Sequence, residues 1–441
     1  MAVLAKGGRK LFNKAEWSWI FYDWANSIYA TNISAAIFPI LYSKVAGAGT
    51  TADILYGYAV SLANLLVALL APYLGSIADF KGMKKKLWMT FLVVGVVFTA
   101  VMGVFGSWQM MLLGFVISRI GFSGANLFYD SFLTDVTTPE RMDKVSTWGF
   151  AMGYIGGSTI PFLISIAIMI LMNMSELSMR IAVLIVPVWW LVFSIPFMKN
   201  VHQVSYVDKP RHNLGVEAWH NTIRTLKDII KDKAVFFFIA AYFFYIDGVD
   251  TIISMSTKYG DTLGLGSIGM ILALLVTQVV AMPCSILFGN LSKKIGALKL
   301  ITFAVVTYAV ITVIGFLMGF IVDFNETLGL SMEQAIGISS VLFWVLATLV
   351  GTVQGGIQAL SRSYFGRLIP PERSGEYFGF MDIFGKFACV IGPALYEVFY
   401  GITGKPCFGI LSIILLFILG FVFLQVGKKY FRIAEHETIE E

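Results

Sequence analysis

Two short stretches place carboxylates inside long apolar runs of the chain. Asp23 and Asn26 lie in YDWANS, and Asp247 and Asp250 lie in IDGVDT, which aligns with it residue for residue. A charge at the centre of a bilayer costs about 2.5–3.5 kcal/mol, and a carboxylate removed from water is more easily protonated. These side chains could load and release a proton or bind a solute ammonium group. The alternative is a hydrogen-bonded polar cluster with a structural role.

A cation lies in another apolar run. Arg119 could hold a carboxylate of a solute with two hydrogen bonds, or it could pair with a nearby aspartate. Asn126 follows in FSGANLFYDS, and Gln358 occupies the matching place in the aligned stretch QGGIQALSRS. A buried aspartate and a buried arginine together suit a zwitterionic solute.

A second set of residues lies at the ends of the apolar runs. Asp79, in GSIADFKGMKKK, could pair with a cation or cap the N-terminus of a facing helix. A contact of this kind that breaks in another conformation acts as a gate; the alternative is a charge that only sets membrane topology. Asp130 and Arg362 occupy matching positions and could pair with each other. The predicted gating residues are Gly75, Asp79, Gly82, Lys84, Lys85, Asp130, Glu140, Arg141, Arg362, Glu372 and Arg373.

The elements that carry these residues are predicted to be membrane helices. The chain has 441 residues, of which 57% are hydrophobic and 13% charged, and its mean hydropathy is +0.79. Soluble domains carry about 25% charged residues, and a spanning helix needs about 20 mostly apolar residues. Twelve runs meet that length: 17–42, 54–78, 87–105, 108–134, 146–171, 180–198, 234–257, 265–291, 298–321, 337–364, 376–400 and 406–427.

The runs divide into six and six. We expect a six-helix bundle over 1–198, a linker over 199–233, a second bundle over 234–427 and a tail over 428–441. Most Lys and Arg residues fall on the side of the linker, which predicts that both termini are cytoplasmic. From Leu214 the linker has helical amphipathic spacing, which predicts a helix on the inner leaflet.

The two halves of the chain repeat each other. TPERMDKVSTWGFAMGYIGGSTIP (138–161) aligns with PPERSGEYFGFMDIFGKFACVIGP (370–393), and the loop around Asp79 has a diverged partner in which Lys293 replaces the aspartate. Paired halves are a device of transporters, whose solute sites lie near the midplane.

The stretch Gly75-x-x-x-Asp79-x-x-Gly82-x-Lys84-Lys85 resembles the loop signature of the major facilitator superfamily. YDWANS, YDSFLTDVTTPER and the run around Trp148 to Gly157 are similar to its vacuolar amino-acid effluxer-like branch, also called the unknown major facilitator family. The resemblance implies an all-α fold of twelve helices, alternating access and export of amino acids. Arg119 stands one residue further from its following glycine than in the superfamily's proton antiporters.

The leading hypothesis is a secondary transporter that exports an amino acid or similar zwitterion, coupled to protons. The alternatives are a cation-coupled sugar or organic-anion symporter, and a membrane sensor or lipid scramblase that transports nothing. The sequence carries no P-loop, GxSxG or HExxH motif and no cysteine pair with metal-ligand spacing. We therefore expect no enzyme activity, cofactor, metal or nucleic-acid partner, and a monomer in the cell membrane, or in a vacuolar-type membrane in a eukaryote.

Overall fold

The computed structural model describes residues 11–47, 51–208 and 213–440, with backbone alone at 53–54, 267–268, 271, 387–389 and 435–440. Within these residues the chain is helical apart from short connections and one bridge between Phe80 and Val207.

The first predicted span is an interrupted helix. Helix α1 (Lys14–Ile28) passes into a π-helical turn, π1 (Tyr29–Ala35), and then into α2 (Ile37–Ala46). Asn13 starts α1 with a capping box, in which its side chain accepts from the backbone N–H of Glu16 and its own N–H donates to the Glu16 carboxylate, each at 2.8 Å. π-Helical turns are rare in proteins overall, and those that occur often lie at functional sites.

The remaining helices of the N-terminal half follow the predicted runs. They are α3 (Thr51–Asp79), α4 (Lys84–Val104), α5 (Trp108–Ser131), α6 (Leu133–Val136), α7 (Pro139–Met152), the π-helical turn π2 (Gly153–Thr159), α8 (Ile160–Leu171) and α9 (Glu176–Asn200).

The linker and the C-terminal half are also helical. Their helices are α10 (Leu214–Lys231), α11 (Lys233–Thr262), α12 (Ser267–Ile295), α13 (Ala297–Asp323), α14 (Met332–Leu368), a 3₁₀ turn (Pro371–Arg373), α15 (Ser374–Thr403), α16 (Pro406–Ser412) and α17 (Ile414–Glu440).

Among the described residues, 11 helical segments are long and apolar enough to cross a membrane. The remaining predicted span, 17–42, is not among these 11 segments. It is formed by α1, π1 and α2. The all-α, multi-pass architecture predicted from the sequence is therefore confirmed. Helix α17 continues without a break to Glu440, so the predicted tail is helical as far as it is described.

The amphipathic helix of the linker is α10. Trp219, Ile223 and Ile230 are exposed along one face, whereas Ala218 and Thr225 on another face are buried. Its placement on the inner leaflet stays a prediction.

The chain forms two compact units. The first comprises Met1–Ala218 together with Pro370–Phe378, and the second comprises Trp219–Ile369 together with Gly379–Glu441. The first turn of α15 thus belongs to the first unit, where it meets the loop that follows α3.

Candidate functional site

Three of the predicted binding residues meet where α1 packs on α5. Tyr129 donates its hydroxyl hydrogen to Asp23 Oδ2 at 2.7 Å. One turn along α1, Asn26 Nδ2 donates to Asn126 Oδ1, also at 2.7 Å. Asp23 and Asn26 are 9% and 5% exposed. These side chains form a buried polar cluster on two antiparallel helices.

Sequence reasoning did not find Tyr129. Its ring stacks on Trp19 with centroids 4.4 Å apart, and its carbonyl accepts from the Trp19 indole N–H at 2.9 Å, so the hydroxyl is firmly aimed at Asp23. A signal existed: Asp23 and Asn26 are three residues apart, as are Asn126 and Tyr129 on the partner helix. Equal spacing on two facing helices allows both pairs to meet.

Arg119 lies elsewhere on α5 and has neutral partners. Its Nη1 donates to Ser34 Oγ at 2.6 Å, and its Nε lies 3.4 Å from Asn64 Oδ1. In the part of the chain that the structure describes, Arg119 forms no ion pair. Of the two roles that the sequence left open, pairing with an aspartate of the chain is thus not observed.

Polar side chains of the first span contact two neighbours, α5 and π2. In a continuous α-helix, Asp23, Ser27 and Ser34 would line one stripe. In the structure Asp23 and Ser34 bond to α5, but Ser27 lies against π2, where a Cβ added at Gly157 would come within 2.6 Å of Ser27 Cβ. The glycines of GYIGGST therefore permit close contact between π2 and α1.

Asp247 in the second unit has a different environment from Asp23. Its Oδ1 accepts from the backbone N–H of Gly392 at 3.0 Å and lies 3.3 Å from Thr251 Oγ1. The residue is fully buried, and its Oδ2 has no hydrogen-bond partner among the described residues. Asp250 on α11 and Gln358 on α14 are half-buried.

Asp79 caps the first turn of α15 within the first unit. Its Oδ1 accepts from the N–H of Gly375 at 2.7 Å and its Oδ2 from the N–H of Glu376 at 2.9 Å, and the residue is 2% exposed. Both donors are N-terminal groups that lack a partner within their own helix. Of the two contacts predicted for Asp79, the structure contains the helix cap.

Glycines allow this contact to be close. A Cβ added at Gly75 would lie 2.1 Å from the carbonyl oxygen of Gly375, and a Cβ added at Gly375 would lie 2.7 Å from Asp79 Oδ1. The second glycine of the signature, Gly82, has a φ of +72°, a conformation that L-residues rarely adopt.

Lys84 lies beside this cap in a buried ion pair that the sequence did not predict. Its Nζ lies 2.8 Å from Asp135 Oδ2, and both side chains are fully buried. The same Nζ donates to Ser374 Oγ at 2.8 Å. Asp135 carried no distinguishing signal in the sequence because the run YDSFLTDVTTPER holds several polar residues.

The start of the linker binds to the loop after α3. The N–H of Val207 donates to the carbonyl of Asp79 at 2.8 Å, and the N–H of Lys81 donates to the carbonyl of Val207 at 3.0 Å. The N–H of Gly82 donates to Gln203 Oε1 at 2.8 Å. Residues 201–207, which we call the strap, therefore run alongside the signature loop.

Charged groups fix the strap at two further points. Asp135 Oδ1 accepts from the N–H groups of Val204 and Ser205, each at 2.8 Å. Lys85 Nζ donates to the carbonyl of Val201 at 2.7 Å. Lys84 and Lys85 thus have separate tasks, one at the helix cap and one at the strap.

Two other predicted gating residues, Arg141 and Arg373, form ion pairs. Arg141 binds Glu16 at the start of α1 through two hydrogen bonds of 2.7 and 2.8 Å, and Thr137 donates to the same carboxylate. Arg373 Nε lies 3.2 Å from Glu376 Oε2. Glu140 and Glu372 are exposed.

Asp130 is half-buried on α5, and Arg362 is buried on α14. Their pairing with each other stays a prediction.

Comparison of the sequence with known proteins gives consistent matches. The family described as vacuole effluxer Atg22 like matches residues 50–428. An uncharacterized MFS-type transporter of Bacillus subtilis (strain 168), YxiO, is 43% identical over 429 residues, which cover 94% of this chain and 95% of that protein. Autophagy-related protein 22-1 of Penicillium rubens is 26% identical over 286 residues, 62% of this chain and 47% of that protein. The chain thus spans about half the length of this fungal relative.

Solved structures with the same fold belong to transporters. The major facilitator proton:xylose symporter XylE, bound to 6-bromo-6-deoxy-D-glucose, has a TM-score of 0.66 at 11% identity over 94% of both chains. A bacterial homologue of the iron transporter ferroportin, in an outward-facing state with soaked iron, has a TM-score of 0.64 at 14% identity, over 97% of this chain and 100% of that one. At these identities the likeness shows the fold alone, and it confirms the predicted major facilitator fold.

Proposed function

Since this chain belongs to the Atg22-like family of vacuole effluxers within the major facilitator superfamily, we propose that it exports an amino acid or similar zwitterion by proton-coupled alternating access. It is a multi-pass membrane transporter of the MFS type, and the solute, the direction and the coupling ion are the proposed part.

The observation that carries the proposal is the environment of Arg119. A guanidinium in a membrane helix is costly unless it is paired, yet the partners of Arg119 are a serine and an asparagine. A solute carboxylate would supply the missing charge and accept two parallel hydrogen bonds.

The separation along α5 assigns different roles to Arg119 and Asp23. Asp23 is bonded to Tyr129, ten residues from Arg119, which is about 15 Å along a helix that rises 1.5 Å per residue. A small amino acid does not reach across that distance with its own ammonium and carboxylate groups. We therefore assign the carboxylate of the solute to Arg119 and the transported proton to Asp23.

A binding experiment tests the role of Arg119. Purified protein is titrated with an amino acid, its amide and its deaminated acid, and binding is followed by isothermal calorimetry. Arg119→Gln should weaken binding of both carboxylates at least about tenfold, because a hydrogen bond to a charged group contributes about 1.5–3 kcal/mol. The affinity of Arg119→Lys for both carboxylates should lie between that of the unchanged protein and that of Arg119→Gln.

The matched control is Arg180→Gln, since Arg180 already pairs with Glu176 on α9. Equal binding of the amide and the acid would refute a carboxylate anchor at Arg119. Binding of the deaminated acid in preference to the amino acid would favour an organic-anion transporter.

Proton coupling is tested in proteoliposomes. Asp23→Asn should abolish uptake driven by a pH gradient while the protein still folds, whereas Asp261→Asn, at an exposed carboxylate of α11, should leave it unchanged. Full gradient-driven uptake by Asp23→Asn would exclude Asp23 as the proton carrier.

We further propose that the cap of Asp79 on α15 is a gate of the transport cycle. The support is chain connectivity: α15 begins in the first unit and continues in the second, so release of Gly375 and Glu376 would free the start of that helix.

A further inference from the structure

An open groove of about 870 Å³ lies at the N-terminal part of α4 next to the strap. Its lining comes from α4, from the loop before it and from the linker, and includes Lys85, Lys86, Met89, Val93, His202 and Gln203. None of these residues belongs to the sites of Asp23, Asp247 or Arg119 described above. Lys85 also holds the strap.

The mouth of the groove is basic. The Lys86 carbonyl accepts from the Thr90 hydroxyl at 3.0 Å, but in the described part of the chain its ammonium group makes no hydrogen bond or ion pair, and the residue is exposed. Lys85 Nζ donates to the carbonyl of Val201 and lies 3.5 Å from His202 Nδ1, which leaves donors free because an ammonium has three. Three basic groups therefore meet around one opening, and the opening carries no carboxylate among its lining residues.

The floor of the groove is apolar and open to the side. Met89 and Val93, one turn apart on α4, are 38% and 48% exposed, and Val97 continues the same row at 50%. Helix α4 is a membrane-spanning segment, so this row faces hydrocarbon. The groove thus joins a cationic mouth to an apolar channel of the kind that an acyl chain fills.

We propose that this groove binds an anionic phospholipid. The lipid belongs to the leaflet on the side of the membrane where most of the chain's Lys and Arg residues lie. The phosphate lies between Lys85, Lys86 and His202, and an acyl chain lies along Met89 and Val93. Basic pockets on that side of membrane proteins bind anionic headgroups. The apolar row favours a lipid over free phosphate, since burial of each CH₂ adds about 0.8 kcal/mol that an inorganic ion cannot contribute.

The bound lipid also stabilises the strap. His202 and Gln203 belong to the linker, and they form part of the groove only while residues 201–207 lie on the signature loop. A ligand that binds only one arrangement of a chain shifts the population toward it. Anionic lipid therefore favours the conformation in which the strap is docked.

The test measures lipid bound to the full chain. Delipidated protein in neutral detergent is titrated with phosphatidylglycerol, with phosphatidylcholine of the same acyl chains and with inorganic phosphate, and intact complexes are counted by mass spectrometry. Phosphatidylglycerol should bind at least about tenfold more tightly than phosphatidylcholine. Lys86→Ala with His202→Ala should weaken phosphatidylglycerol binding at least about fivefold, because each basic residue near anionic lipid contributes about 1 kcal/mol.

Both substituted side chains are exposed, so the variant should fold, and Lys85 stays in place because it holds the strap. The matched control is Lys293→Ala with Lys294→Ala, which removes two exposed charges from the aligned loop of the second unit and should change binding less than twofold. Equal losses in both variants, or phosphate competing fully with the lipid at millimolar concentration, would overturn the proposal.

Discussion

At the scale of residues, two carboxylates that match in the repeat have unlike environments. Asp23 accepts from the Tyr129 hydroxyl of α5, whereas Asp247 accepts from the backbone of Gly392 in α15 and keeps Oδ2 without a described partner. The corresponding contact between α11 and α14 is made by Tyr245 and Ser361, whose hydroxyls lie 2.6 Å apart. Matching sequence positions therefore do not imply equal roles in the proton step.

The close contact at Gly392 leads to a stability prediction. A Cβ there would lie 1.9 Å from Thr251 Oγ1 and 2.9 Å from Asp247 Oδ1. Gly392→Ala should therefore destabilise the protein by about 1–3 kcal/mol through overpacking. The measurement is the melting temperature in detergent.

Gly385→Ala is the matched control on the same helix, because its nearest contact would be an ordinary 3.5 Å to Tyr242. This change should be neutral or slightly stabilising, since alanine favours helix. If both variants melt at the same temperature, the tight packing at Gly392 is not what holds Asp247.

The Asp79 cap leads to a prediction about accessibility. Asp79→Asn replaces one acceptor by a donor that faces an N–H group, so the start of α15 should be released more often. In a background without the native cysteines, Ser374→Cys, which is buried, should react with a water-soluble thiol reagent about tenfold faster or more when Asp79→Asn is added.

Asp261→Asn serves as the control and should leave that rate unchanged. A rate that does not respond to Asp79→Asn would show that the cap does not hold this turn closed.

At the scale of elements, hydropathy predicted where helices lie but not how each one is built. The runs 54–78 and 108–134 correspond closely to α3 (Thr51–Asp79) and to α5 with α6. The run 337–364 is shorter than α14 (Met332–Leu368), because polar residues extend the helix beyond its apolar part. The π-helical turn in the first span has no signature in hydropathy, so this interruption of the helix was not predicted.

The strap could not be predicted either. Most of its contacts use backbone N–H and carbonyl groups, which every residue carries, and a regular pattern of side chains does not mark them. Asp79 and its loop could be predicted, because a carboxylate, four lysines and two glycines within GSIADFKGMKKK form a distinctive pattern.

The ion pair at the start of α1 gives a prediction that depends on pH. Burial raises the pKa of Glu16, but hydrogen bonds from Arg141, from the Asn13 backbone and from Thr137 outweigh it, so the pKa lies below its ordinary value of 4.5. A lowered pKa in the folded state means that the stabilisation is present above the unfolded pKa and is lost as pH falls through the folded one.

Glu16→Gln should therefore lower the unfolding free energy by about 1.5–3 kcal/mol at neutral pH. The difference from the wild type should shrink as the pH is lowered below the ordinary glutamate pKa of 4.5 and through the lower pKa of the folded state. Thermal melts across that range measure it, with Glu176→Gln as control because the Glu176 side chain is 48% exposed in its pair with Arg180. A difference that does not change with pH would mean that the charge of Glu16 is not responsible.

At the scale of the whole molecule, the repeat is not symmetric at its loops. The end of α3 carries Asp79, and the loop after it binds the strap, whereas the last turn of α12 has Lys293 at the position that matches Asp79. The family and the multi-pass helical fold were predictable, because the signature motifs and the long apolar runs survive in the sequence. The partners of Arg119 were not, since Ser34 and Asn64 are ordinary polar residues in apolar runs.

The strap has a practical consequence for producing the protein as two separately encoded polypeptides. A gene divided at the end of α9, after Asn200, would leave the segment that hydrogen-bonds to the signature loop on the wrong fragment. A division after Val207 keeps the segment with the half it completes. Co-expressed fragments 1–207 and 208–441 should purify together in higher yield than fragments 1–200 and 201–441.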